Sequence, residues 1–115
     1  MRGKIDESAS MTENQNQYES DILEADDIDN DKPGKYKVIM HNDHYTTMEF
    51  VVAVLKEIFG HTDASAEKLM LDIHQKGEAI AGVYWFEIAE TKAMQTMTRA
   101  RNEGYPLRCT LRTES

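Results

Sequence analysis

Residues 35–58, KYKVIMHNDHYTTMEFVVAVLKEI, change their hydrophobic period halfway along. Lys35 to His41 alternates, with Tyr36, Val38 and Met40 on one side, and this predicts a half-buried strand. Asn42-Asp43-His44 ends the strand, because short polar side chains favour turns over ladders. Beyond the turn, Met48, Val51, Val54, Leu55 and Ile58 recur at steps of three and four, which predicts a helix with an inward stripe. Thr46-Thr47-Met48-Glu49 has the spacing of a capping box, so Thr46 is expected to cap the first amides while Glu49 bonds back. Gly60 is expected to end the helix.

The rest of the chain extends this pattern. A second helix should start near Thr62-Asp63, turn Ala66, Leu69, Met70 and Ile73 inward, and stop before Gly77. Ala79 to Tyr84 predicts a strand. Glu87 to about Asn102 predicts a third helix, with Ala89, Ala93, Met97 and Ala100 on one stripe and Gly104 behind it. Leu107, Cys109 and Leu111 alternate with Arg108, Thr110 and Arg112, a last strand for which Pro106 suits the start. The order β-α-α-β-α-β predicts a single α+β sandwich, with three helices packed on a three-stranded sheet. Pro33-Gly34 marks the boundary between an N-terminal segment, residues 1–34, and a core domain, residues 35–115.

Charge divides the chain at the same place. Residues 1–33 carry ten acidic residues against Arg2, Lys4 and Lys32, a net of −7; the remaining residues carry eleven acids and ten bases, a net of −1. The first segment has few large apolar residues, so it cannot bury enough surface to offset the entropy of ordering, and a disordered acidic extension is expected. An acidic tail also argues against nucleic acid, whose binding needs Lys and Arg to displace counterions. With Cys109 as the single cysteine, neither an internal disulfide nor a paired-cysteine metal site is available. No segment resembles a leader peptide or a bilayer span, so a cytoplasmic protein without membrane contact is the expectation. Met1 and Met11 are both possible starts.

Enzymatic chemistry finds little support. No Ser or Cys stands in a nucleophile elbow or beside an obvious base. The six glycines are scattered rather than gathered into a phosphate-binding loop. His41, Asp43, His44 and His74 offer metal-ligand chemistry, but their spacing matches no zinc pattern. Neither a metal nor a cofactor is therefore expected. Three features remain: the turn Asn42-Asp43-His44 between strand and helix, His74 four residues after Met70 on one helix face, and the apolar set Met48, Val51, Met70 and Ile73. By residue pattern alone, ordinary turn formation accounts for Asn42 and Asp43, and capping of a helix C-terminus accounts for His74.

Tyr36 to Val51, Leu69 to Gly77, Glu87 to Lys92 and Pro106 to Leu111 together resemble the motifs of the ClpS family. They occur in the same order and with spacing intact over residues 35–112. The resemblance implies a non-enzymatic adaptor of the bacterial N-end rule pathway. Such an adaptor binds proteins that begin with Leu, Phe, Tyr or Trp and delivers them to the ClpAP protease. It implies that Asn42, Asp43 and His74, with His44 beside them, hold the free α-amino group. Thr46, Met48, Val51, Met70, Ile73 and Leu107 would surround the first side chain, with Met48 rejecting β-branched residues. Tyr45, Glu87 and Lys92 would face the N-terminal domain of the AAA+ unfoldase ClpA, and the adaptor would act as a monomer. Two alternatives are a regulator that docks on the unfoldase without capturing degrons, and a histidine metal-binding domain. One position departs from the family: typical members carry a second acid where this chain has His44. A neutral imidazole accepts one hydrogen bond and brings no negative charge. Weaker, more acid-sensitive binding is the expectation.

Overall fold

The computed structural model describes residues 34–114. The expected disordered extension lies outside the described residues. Six elements follow in the expected order: β1 (Lys35–His41), α1 (Met48–Glu57), α2 (Asp63–Lys76), β2 (Glu78–Trp85), α3 (Phe86–Asn102) and β3 (Arg108–Thr113). The sheet order is β2-β1-β3. β1 is the central strand and runs antiparallel to both neighbours, from Lys35 opposite Trp85 to His41 opposite Glu78 and Arg108. β2 and β3 therefore run parallel with β1 between them, and α3 makes the crossover that such a pair requires.

Alternation along the strands decides which face the helices cover. Tyr36, Val38 and Met40 join Cys109 and Leu111 in one buried cluster, to which α1 contributes Val51, Val54 and Leu55. Helix α2 adds Ala66 and Ile73, and α3 adds Ala89, Ala93, Met97 and Ala100. The small side chains of α3 let its backbone lie close to the sheet, where it contacts all three strands. Tyr36 packs edge-on against Phe86 with ring centroids 5.1 Å apart, a geometry favoured by aromatic quadrupoles. The pairing of β1 with β2 shifts register between Val38 and Ile39, opposite a bulge that leaves Ala81 without a direct partner. His61 braces that bulge: its Nε2 lies 2.6 Å from the Ala81 carbonyl oxygen and its Nδ1 2.9 Å from Ser65 Oγ.

Several local expectations need correction. The N-cap of α1 is Thr47, whose hydroxyl accepts from the Phe50 amide at 3.1 Å, and not Thr46. Thr46 is already engaged: its amide and hydroxyl both donate to Asp43, which moves the cap one residue on and leaves Phe50, not Glu49, at the box position. Met48 opens the helix and is 45 % exposed instead of joining the inward stripe. Ile39 is fully buried although it points away from the helices, an environment that alternation within one strand did not indicate. The strand and helix limits differ from expectation by a residue or so, as helix and strand ends usually do. No described helix is long and apolar enough to cross a membrane.

Candidate functional site

The turn after β1 is built around one carboxylate. Asp43 Oδ1 accepts from the amides of Tyr45 at 2.8 Å and Thr46 at 2.7 Å, and Oδ2 accepts from the Thr46 hydroxyl at 2.8 Å. Burial pushes the Asp43 carboxyl up, but the Thr46 and Tyr45 amides, the Thr46 hydroxyl and the charge of neighbouring His44 outweigh it. The result holds Asp43 below the usual carboxylate range. A carboxylate has about four lone-pair positions. Three are occupied, which leaves one on Oδ2 and a fixed negative charge at the N-terminal end of α1.

A second bond joins this turn to the far end of α2. The amide of Asn42 donates to the Gly77 carbonyl at 2.9 Å. Gly77 is the C-cap of α2, with φ 95° in the left-handed region that glycine adopts without strain. His74 lies in the last turn of that helix and is exposed. The Asn42–Asp43–His44 turn and the His74-bearing end of α2 are thus brought to one place. Asn42 and His44 are exposed beside Asp43, which is half-buried.

The six residues expected around the first side chain differ in burial. Val51, Ile73 and Leu107 are buried in the common core cluster, and Met70 packs against it. Met48 lies three residues before Val51, on the same helical face, and exposes much of its side chain. Half-buried Thr46, held by Asp43, flanks the helix start. The six therefore divide into the buried Val51, Ile73 and Leu107 and the more accessible Thr46, Met48 and Met70.

Of the three expected docking residues, Glu87 and Lys92 lie on α3 and Tyr45 in the turn before α1. Glu87 is exposed in the first turn of α3. Lys92 is half-buried; its Nζ donates to the Ile58 carbonyl at 2.7 Å and lies 5.3 Å from the centre of the Tyr84 ring. Tyr45, 77 % exposed, belongs to the turn before α1 and so stands at the other end of that helix from Ile58. A polar cluster that sequence reading missed lies on the helix-free face of the sheet. His41 Nε2 is 2.8 Å from Thr110 Oγ1, and Arg112 donates to Glu78 at 2.9 Å. Strand register creates it, and no local motif announces it. Among the described residues, no three His, Cys, Asp or Glu side chains group as metal ligands would.

Comparison with known proteins gives a consistent picture. Residues 31–110 match the profile of the family described as ATP-dependent Clp protease adaptor protein ClpS. The chain is 54 % identical over 92 residues to the ATP-dependent Clp protease adapter protein ClpS of Nitratidesulfovibrio vulgaris strain DP4, covering 80 % of this chain and 86 % of that one. It is 46 % identical over 104 residues to the ClpS of Desulfotalea psychrophila, covering 90 % of this chain and all of the relative. Agrobacterium tumefaciens ClpS2, solved bound to L-phenylalaninamide, superposes with a TM-score of 0.69 at 37 % identity, over 72 % of this chain and 100 % of that one. With the family match over residues 31–110 and this degree of identity and coverage, the chain belongs to the ClpS family of Clp protease adaptors.

Proposed function

We propose that this adaptor captures proteins by a free α-amino group followed by a bulky hydrophobic first residue, Leu, Phe, Tyr or Trp, and delivers them to the ClpAP protease without catalysing a reaction itself. The observation that carries this reading is the Asn42–Gly77 bond, which joins the Asp43 turn to the end of the helix that bears His74. The ligand of the related ClpS2 fits the same chemistry. L-phenylalaninamide is an α-ammonium and a benzyl side chain with an amide where a peptide would continue.

An α-amino group has a pKa near 8, so at pH 7 it is mostly a cation with three donors. Asn42 supplies a carbonyl oxygen, Asp43 a carboxylate and His74 an imidazole nitrogen. Hydrogen bonds to a charged group contribute roughly 1.5–3 kcal/mol each, enough for the set to separate a free N-terminus from an acetylated one. Val51, Ile73 and Leu107, with Met70, take the first side chain, and Met48 turns away branching at Cβ by steric conflict. Glu87 and Lys92, with Tyr45 at the site itself, face the N-terminal domain of a ClpA-type unfoldase, in the bacterial cytoplasm, with the adaptor acting as a monomer.

Fluorescent peptides starting with Leu, Phe, Tyr, Trp, Val and N-acetyl-Phe test the reading by anisotropy. The first four should bind, Val and N-acetyl-Phe should not, and His74→Ala should weaken the first four together. Equal binding of Phe and N-acetyl-Phe peptides would overturn it. Unfoldase binding with no peptide binding would leave the docking regulator as the function.

A further inference from the structure

Strand alternation gives the sheet a second face, turned away from all three described helices, and its charge differs from that of the domain. Lys35, Lys37, Arg108 and Arg112 lie on this face by register, against Glu78 and, by continued alternation, Glu114. Four bases against two acids give a local net of +2, although residues 34–115 together carry −1. Along its β2 edge the same face presents Ile80, Val83 and Trp85, which are 43 %, 37 % and 58 % exposed. An apolar edge strand is a surface that proteins normally cover or charge, and β2 is an edge strand among the described residues. At its centre, Ile39 and Thr110 are fully buried, although neither belongs to the cluster packed under the helices.

The chain carries a complement to this surface, joined to it directly. Glu19 to Asp31 contains seven acidic residues and no Lys or Arg, together with Ile22, Leu23 and Ile28. It ends four residues before Lys35, the first residue of the central strand, which lies opposite Trp85 with its Nζ 5.5 Å from the indole centre. Thirteen residues at ~3.3 Å each reach about 43 Å, well beyond the ~23 Å length of β1, so the segment can span the face. So short a connection also gives an effective concentration on the order of millimolar, which an untethered acidic partner must exceed.

We propose that the acidic segment Glu19–Asp31 docks on the helix-free face of the sheet, its carboxylates against Lys37, Arg108 and Arg112 and its apolar residues against Ile80 and Val83. The segment then shields an adhesive edge strand. It also occupies a basic surface that would otherwise attract acidic macromolecules. The degron site is on the opposite side of the sheet and takes no part in this contact.

The full-length chain with Ser20→Cys, labelled with a nitroxide, tests the proposal by NMR. Cys109 does not compete for the label, since it is fully buried and its thiol is pushed up to about 12. Amide signals of Ile39, Val83, Arg108 and Thr110 should lose most of their intensity relative to the reduced label, while Met48 and His74 keep theirs. The loss should shrink in 1 M NaCl, where the Debye length falls to about 3 Å. It should vanish in the Lys37→Glu, Arg108→Glu variant. Broadening spread evenly over the domain, or unchanged by charge reversal, would overturn the proposal. Mixing labelled chains with isotope-labelled, nitroxide-free chains separates the remaining case: broadening there would make a second copy the occupant and overturn it as well.

Discussion

Asp43 holds the turn together and, under the proposed function, also meets the ligand, and two substitutions separate these roles. Asp43→Ala removes the acceptor of three hydrogen bonds, from the Tyr45 amide, the Thr46 amide and the Thr46 hydroxyl. Tyr45 is exposed and its amide can return to water, but Thr46 is half-buried. Loss of a comparable capping side chain costs about 0.5–2 kcal/mol, and the charge of this acceptor places the expected cost near the upper end, about 2 kcal/mol. For a domain of this size, such a loss lowers Tm by roughly 8–16 °C. Asp43→Asn keeps an oxygen for both amides, and the Thr46 hydroxyl can rotate to accept from the new amide group. Its stability cost should therefore stay below about 1 kcal/mol. Removing the negative charge that faces the ammonium should still cost about 1.5–3 kcal/mol of binding, a weakening of roughly ten- to a hundredfold. Thermal unfolding by circular dichroism and anisotropy with a Phe-initiated peptide measure the two quantities on the same samples. If Asp43→Asn bound the peptide as tightly as the parent, the carboxylate would have no part in ammonium recognition. If Asp43→Ala melted with the parent, the hydrogen-bonded turn would not support the fold.

Four further outcomes follow from the same geometry. Because the folded-state pKa of Asp43 is depressed, its contribution is complete above the unfolded carboxyl value near 3.9 and fades as pH falls through the lower folded value. The Tm difference between parent and Asp43→Asn should thus be constant from pH 7 to 5 and shrink below pH 4 in a calorimetric series. His44→Asp places a second negative charge beside the ammonium and should tighten Phe-peptide binding by about tenfold or less, read by anisotropy. Met48→Ala should admit peptides that begin with Ile or Val while leaving Phe peptides bound, and a peptide panel checks it. Cys109, buried with its thiol pushed up to about 12, should resist a thiol reagent in the native protein and react once denaturant unfolds it.

Much of the fold was legible because each element satisfies its own period. The alternation of Tyr36, Val38 and Met40 and the alanine stripe of α3 both point to the face that is in fact buried. Misreadings arose where two local motifs competed. Thr46 and Glu49 have capping-box spacing, but Asp43 reaches the Thr46 amide first, and sequence spacing carries no measure of which acceptor wins. Met48 fits the apolar stripe by period. As the first helical residue it has no preceding turn to pack beneath, and it remains largely exposed. The candidate site was legible in a different sense. Its residue types were visible and the family resemblance gave them roles, but local spacing favoured plain turns and caps. The Asn42–Gly77 bond that joins the turn to α2 connects residues distant in the chain, so no window of sequence contains it.

Helix α1 ties the two proposed surfaces together. At its N-terminal end it is anchored by the Asp43 turn, and near its C-terminal end the Ile58 carbonyl accepts from Lys92. Ten residues at 1.5 Å make a rod of about 15 Å, too short and too well held to bend between these points. Lys92 is constrained in turn by the Tyr84 ring, and Tyr84 belongs to the strand whose bulge His61 braces. Its ammonium is therefore a helix-capping group as well as a surface charge. A partner that bound Lys92 by drawing it off Ile58 would release the last turn of α1, whereas one that met it in place would leave α1 and the proposed degron site undisturbed. The bond to Ile58 at 2.7 Å and the packing over Tyr84 favour the second arrangement. Under the proposed function the adaptor keeps its cargo while it meets the unfoldase, and an α1 with both ends pinned allows the two contacts to be made at once.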